Sequence, residues 1–164
     1  MEKEGREIRK VLVLRGLQGS GKSTFAKQWV NENPEHRVRF NRDDIRNMLG
    51  KYWVPSREPL INDLYKQFLE STIFSRHYDV VIDNINLDEK YVKEIEETVR
   101  QRNKMYEDCE DIPQYEIEVK DFFHIPLQVC IERDAQRENP IGAEVIRQTY
   151  NKYKNKIIPW RYLN

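Results

Sequence analysis

Cysteine is nearly absent from this sequence: Cys109 and Cys130 are the two present, and neither stands in a C-x-x-C or Cys/His spacing. A disulfide framework and a zinc site are therefore both excluded as organising principles. No apolar run approaches the roughly twenty residues that span a bilayer, and the first one, Val11–Leu14, is far too short for a signal-peptide core. A cytoplasmic protein without membrane contact is the expectation. Net charge is lacking as well, since 28 basic side chains face 28 acidic ones. A chain without a global basic field cannot hold a long nucleic acid by counterion release, so any nucleic-acid contact must be local. Glycine is scarce, six in all, yet three of the six fall within Gly16–Gly21, which concentrates backbone freedom in one loop. Repeats, low-complexity tracts, an N-K-x-D element and a D-x-D-x-T phosphatase motif are all missing. The three histidines, His36, His77 and His124, are isolated and are given structural roles.

What is present alternates. Val11–Leu14 is a continuous apolar run, and from Lys22 the residues Phe25, Ala26, Trp29 and Val30 recur at helical spacing. Arg37–Asn41 reads as an extended stretch leading into a helix over 43–49, with Asp43 and Asp44 in its first turn and Gly50 as its stop. A helix through Leu60, Leu64, Phe68 and on to Ser75 precedes the buried-strand candidate Val80–Ile82. Asp88 is placed to cap a helix reaching about Asn103. A strand over 115–123 and helices over 127–136 and 142–154 complete the chain, and the acidic loop 107–111 reads as solvated. The alternation predicts one α/β domain over residues 1–164, with a mostly parallel central sheet, helices on both faces and a helical lid at about 131–142. Ligands of such a sheet gather at the carboxyl ends of its strands. Tyr150, Tyr153, Trp160 and Tyr162 interleave with lysines near the C-terminus, but their helical spacing favours core packing over a nucleic-acid platform.

The segment Gly16-Leu17-Gln18-Gly19-Ser20-Gly21-Lys22-Ser23 matches G-x-x-x-x-G-K-[ST] and stands between an apolar strand and an amphipathic helix. Its glycines let Gly16, Gly19, Ser20, Gly21 and the following Thr24 turn backbone N–H groups toward one polyphosphate, aided by the positive end of the helix. Lys22 reaches the β- and γ-phosphates, and Ser23 is a ligand for Mg²⁺. Asp83, closing the run Val80-Val81-Ile82, is either a second Mg²⁺ ligand or a strand-end turn residue.

The remaining chemistry must come from Asn41-Arg42-Asp43-Asp44-Ile45-Arg46 and from Arg133 and Arg137. Asp43 is ionised at neutral pH and suits a general base, with Arg46 one helical turn away as an anion clamp. Capping of the helix by the two carboxylates is the alternative. Arg133 and Arg137 share a helix face, either clamping a transferring phosphoryl group from a lid or pairing with Glu132 and Glu138.

Taken in order, Gly16–Thr24, Asn41-Arg42-Asp43-Asp44-x-Arg46, Asp83-Asn84-Ile85-Asn86-Leu87 and Arg133-x-x-x-Arg137 resemble the kinase domain of polynucleotide 5′-kinases, over essentially the whole chain. The resemblance implies a P-loop NTPase fold and transfer of the γ-phosphate of ATP or another NTP, with Mg²⁺, to the 5′-hydroxyl end of DNA or RNA. It implies Asp43 as general base, Arg46 on the phosphate flanking the acceptor hydroxyl, Asn86 at the acceptor, and Arg133 and Arg137 on the donor, with Arg137 at the transferring phosphoryl. Ile85 and His124 stand where that family often has Thr and Asp. A kinase acting on a hydroxymethylated base or a small metabolite, and a nucleotide-binding switch, are the other readings that the motifs allow.

Overall fold

The computed structural model describes residues 5–156. Four strands, β1 (Ile8–Arg15), β2 (Arg37–Phe40), β3 (Asp79–Ile82) and β4 (Gln114–Asp121), form one sheet in the order β2-β3-β1-β4. All three pairings are parallel, with Val11 opposite Val80, Phe40 opposite Ile82 and Leu12 opposite Glu118. The expected parallel sheet is therefore observed, and all four strands send their carboxyl ends to one edge.

Strand alternation divides the core. Val11, Val13, Val80 and Ile82 pack on Ile45 of α2 (Arg42–Met48), on Ile61, Tyr65 and Leu69 of α3 (Glu58–Glu70), and on Val92, Ile95 and Val99 of α4 (Glu89–Met105). Leu12, Leu14 and Val81 turn the other way onto Phe25, Ala26, Trp29 and Val30 of α1 (Lys22–Glu32). Burying both faces is what lets β1 and β3 read as unbroken apolar runs rather than alternating ones.

A third cluster covers the end of the sheet. Leu17, Leu87, Cys130 and Ile146 join Ile131 of α5 (Leu127–Ala135) and Tyr150 and Tyr153 of α6 (Ala143–Tyr153). Tyr150 stacks on Phe123 with ring centroids 5.7 Å apart, so these two tyrosines are core residues as their spacing suggested. Trp160 and Tyr162 lie outside the described residues.

Three local features differ from the sequence reading or add to it. The helix expected to run through Ser75 changes to a wider π turn over Ser71–Arg76, with the Thr72 hydroxyl donating back to the carbonyls of Phe68 and Leu69. The lid keeps the two helices expected on either side of a break, and the structure adds what holds the break in place. Helix α5 ends at Ala135, and the connection to α6 is hung on the buried Asp134 carboxylate, which accepts from the N–H groups of Ile141 (3.1 Å) and Gly142 (2.9 Å). The acidic loop is not merely solvated, because the Arg6 guanidinium donates to the carbonyls of Tyr106, Glu107, Cys109 and Ile112.

The α5–α6 pair sits hard against the glycine loop. A Cβ on Gly19, whose φ is +78°, would lie 2.3 Å from the Cys130 carbonyl oxygen. Backbone cannot yield there as a flexible side chain would, and the left-handed φ adds strain. Gly19→Ala is expected to lower stability by about 2–4 kcal/mol, read from urea or thermal unfolding. Gly5→Ala, with nothing within 4 Å of its added methyl, should leave the transition in place.

Candidate active site

The four carboxyl ends bring the sequence's candidates to one edge. β1 leads into the Gly16–Ser23 loop, β2 into Asn41–Arg46, and β3 into Asp83–Asn86. Gly21 adopts φ +100° at the start of α1, and no side chain caps that helix, leaving its first-turn N–H groups for an anion rather than for a Ser or Asp cap.

Lys22 lies inside this loop with 6% of its surface exposed. Its Nζ donates to the carbonyls of Gly16 (2.9 Å) and Leu17 (2.7 Å) and, at 3.4 Å, to the Ser20 hydroxyl. Burial pushes its pKa down to about 8; the Asp83 carboxylate opposes that shift and Arg137 adds to it. Arg137 thus acts on the same spot as Lys22, as does Arg133, whose Nη1 would stand 3.5 Å from a Cβ built on Gly21. Arg133 is thus on the loop's side of α5, and Arg137 follows two residues after the end of that helix instead of sharing its face. Arg137 also approaches Asp134 at 3.7 Å, whereas the expected pairing with Glu132 or Glu138 is not formed among the described residues. Ser23 is half-buried and Thr24 exposed in the first turn of α1.

Asp83 is buried, and both its oxygens have partners: Oδ2 accepts from Arg39 Nε and Oδ1 from Asn41 Nδ2, each at 2.8 Å. Arg39 was not singled out in the sequence, and Asn41 stood in the Asn41–Arg46 block without a role of its own. They alternate with Val38 and Phe40, which face the core, so the period of β2 was the signal that would have put both on the face toward Asp83. Asn41 also caps α2, its side chain accepting from the Asp44 N–H at 2.8 Å.

That cap frees Asp43. Its carboxylate is 55% exposed and makes no bond to helix backbone; Oδ1 accepts from Arg46 Nη1 (2.6 Å) and from the Tyr52 hydroxyl (2.7 Å). The capping alternative for Asp43 is thereby excluded. Arg46 in turn donates from Nε and Nη2 to the two oxygens of Glu58 (2.9 and 3.1 Å), a bidentate pair that fixes the plane of its guanidinium. Tyr52 and Glu58 belong to the site but lie outside any motif, six residues or more beyond Arg46.

Asn86 takes a place other than the one expected. It is 1% exposed with φ +48°, and its Nδ2 donates to the Leu14 carbonyl at 2.8 Å. This pins the loop after β3 to the end of β1, so Asn86 braces the glycine loop from beneath instead of facing an acceptor.

Residues 11–158 match a family described as an AAA domain, AAA_33. The chain belongs to this family. Its members' fold is that of the P-loop kinases, and similar solved structures agree. A chain of the "Pnkp1/Rnl/Hen1 RNA repair complex" superposes with TM-score 0.68 at 24% identity, covering 99% of this chain and 51% of that one. "Fungal RNA Kinase" gives TM-score 0.61 at 16% identity, over 94% and 69%. A gluconokinase of Sinorhizobium meliloti 1021 gives 0.52 at 16%, over 89% and 75%. By sequence, L-seryl-tRNA(Sec) kinase of Methanococcus maripaludis is 23% identical across 146 residues, 87% of this chain and 52% of that one. The chain thus spans about half the length of that kinase and of the RNA-repair chain.

In this AAA_33 domain the charge on Lys22 is present below its pKa of about 8 and lost above it. Nucleotide affinity measured by calorimetry should therefore fall as pH rises through about 8, with proton uptake on binding in that range. In Lys22→Met the affinity should be weaker and flat across the same window.

Proposed function

We propose that residues 1–164 act as one catalytic unit that moves the γ-phosphate of ATP, or another NTP, onto the 5′-hydroxyl end of DNA or RNA. One observation carries this reading: an exposed carboxylate, Asp43, is aimed by two donors on one of its oxygens, at the sheet edge that holds the glycine loop. Its charge is felt at Lys22.

Asp43 accepts the proton of the attacking hydroxyl, the new O–P bond forms at the γ-phosphorus, and the bond to the bridging oxygen breaks to release the diphosphate. Lys22, Arg133 and Arg137 meet the charge that gathers on the equatorial phosphoryl oxygens. Gly19, Gly21 and Thr24 offer backbone N–H groups to the donor phosphates, whereas the expected Gly16 and Ser20 N–H groups donate to the carbonyls of Ile85 (2.9 Å) and Leu17 (3.2 Å) and shape the loop instead. The residues fit Mg²⁺ in the manner of such sites. Among the described residues no group of three His, Cys, Asp or Glu side chains could hold a metal unaided, whereas Ser23 and the buried Asp83 offer two oxygens that donor phosphates would supplement. Held there, Mg²⁺ would supply charge neutralisation for the donor phosphates. Arg46 shares its guanidinium between Asp43 and the phosphate flanking the acceptor hydroxyl, and Glu58 holds it in register for both.

A local contact suits a chain with equal numbers of acidic and basic side chains. Among the described residues no helix is long and apolar enough to cross a membrane. The sequence match to a seryl-tRNA kinase supports a second reading, in which the hydroxyl is that of an aminoacyl group on RNA and the donor side is unchanged.

Asp43→Asn is the direct test. Transfer to a 5′-hydroxyl oligonucleotide should drop by about 10²–10⁴-fold, while ATP affinity stays within about twofold. Transfer at the wild-type rate would remove Asp43 as the base.

A further inference from the structure

The rim around Asp43 contains a group that no motif marks. Tyr52 lies in the connection between α2 and the short turn Pro55–Arg57, and its hydroxyl donates to Asp43 Oδ1 at 2.7 Å. Arg46 Nη1 donates to the same oxygen at 2.6 Å. With two charge-assisted donors on Oδ1, the carboxylate is held against rotation, and Oδ2 is the oxygen left to take a proton. Arg46 cannot set this geometry alone, because its fork is anchored to Glu58 and enforces only one direction. Two donors arriving from separate elements define the carboxylate plane.

The phenol is suited to the task. It is kept in its neutral, donating form, with its pKa pushed up to about 12 by burial, then by the nearby Asp43 carboxylate. The Arg46 guanidinium lies 5.8 Å from the centre of its ring, so the aromatic face and the hydroxyl are both tied to the Asp43–Arg46 pair. Trp53, next in sequence, has its ring centre 5.9 Å from the same guanidinium.

We propose that Tyr52 is a positioning residue for phosphoryl transfer: its hydroxyl fixes Asp43 Oδ1 so that Oδ2 faces the acceptor hydroxyl. This rests on the reading of Asp43 as the base. Tyr52 touches neither substrate; it acts through Asp43 and should affect the chemical step, not donor binding.

A double-mutant cycle tests it with the full chain, γ-labelled ATP and a 5′-hydroxyl oligonucleotide. Tyr52→Phe, which keeps the ring and loses the hydroxyl, is expected to lower kcat about tenfold with KM for ATP unchanged. Tyr52→Ala, included because loss of the ring also disturbs Arg46, should lower kcat further. In the Asp43→Asn background, Tyr52→Phe should cost nothing more, since there is no base left to aim. Wild-type kcat in Tyr52→Phe, an equal loss in both backgrounds, or a loss confined to KM for ATP would each overturn the proposal while leaving Asp43 as the base. Full activity in Asp43→Asn itself would instead overturn the functional reading on which the proposal stands.

Discussion

A lysine ammonium that water barely reaches is the constraint on which the carboxyl edge of this sheet depends. Lys22 hydrogen-bonds only dipoles, two loop carbonyls and a hydroxyl, with Asp83 as the largest favourable charge influence and Arg137 as a repelling one. Dipoles offset only part of the cost of burying a charge, and the remainder favours whatever brings negative charge close. A polyphosphate meets that demand. The rest of the edge keeps the arrangement rigid: Gly19 lets the loop close against the Cys130 carbonyl, Asn86 pins the neighbouring loop to Leu14, and Asp134 ties down the connection that follows Arg133. Asp83 would be a second unsupported buried charge were it not held by Arg39 and Asn41.

The Asp43 side of the edge follows a different logic. Asp43 is exposed and lies at the start of a short helix, where a carboxylate ordinarily bonds backbone. Asn41 takes over the capping task, which leaves Asp43 free for Arg46 and Tyr52. One residue thus serves both halves of the site, because Asn41 also supports Asp83. The half around Lys22 is built on a buried charge and a rigid loop, the half around Asp43 on an exposed charge held by side chains.

How much of this could be read beforehand follows from range in sequence. The glycine loop, the apolar strands of the sheet and the Asp88 cap of α4 are set by residues within a turn or two of one another and were legible, whereas the helix face expected to carry both Arg133 and Arg137 is not formed, because α5 ends at Ala135. Tyr52, Glu58 and Arg39 were not legible, since their partners are chosen by how α2, α3 and β3 come together and no local pattern records that. Asn86 shows the limit from the other side. In Asp-Asn-Ile-Asn the spacing cannot say which amide faces outward, and a positive φ at Asn86 turned its side chain beneath the loop. The π turn after α3 escaped for a similar reason: residues there have ordinary helical propensity, and tertiary contacts decide where the helix yields. The break after α5 was legible in Pro140 and Gly142, and it was its tie to Asp134 that was not.

The measurement that bears most directly on the central claim is transfer of labelled γ-phosphate from ATP with Mg²⁺ to a matched set of hydroxyl acceptors. The set comprises 5′-hydroxyl DNA, 5′-hydroxyl RNA, a nucleoside 3′-monophosphate, a plain nucleoside, and seryl-tRNA. Label on one or more of the first three, with little on the plain nucleoside, is the result expected of a base at Asp43 beside a cation that reads the flanking phosphate. Label on seryl-tRNA alone, or on none of the acceptors while ATP is still bound, would contradict it.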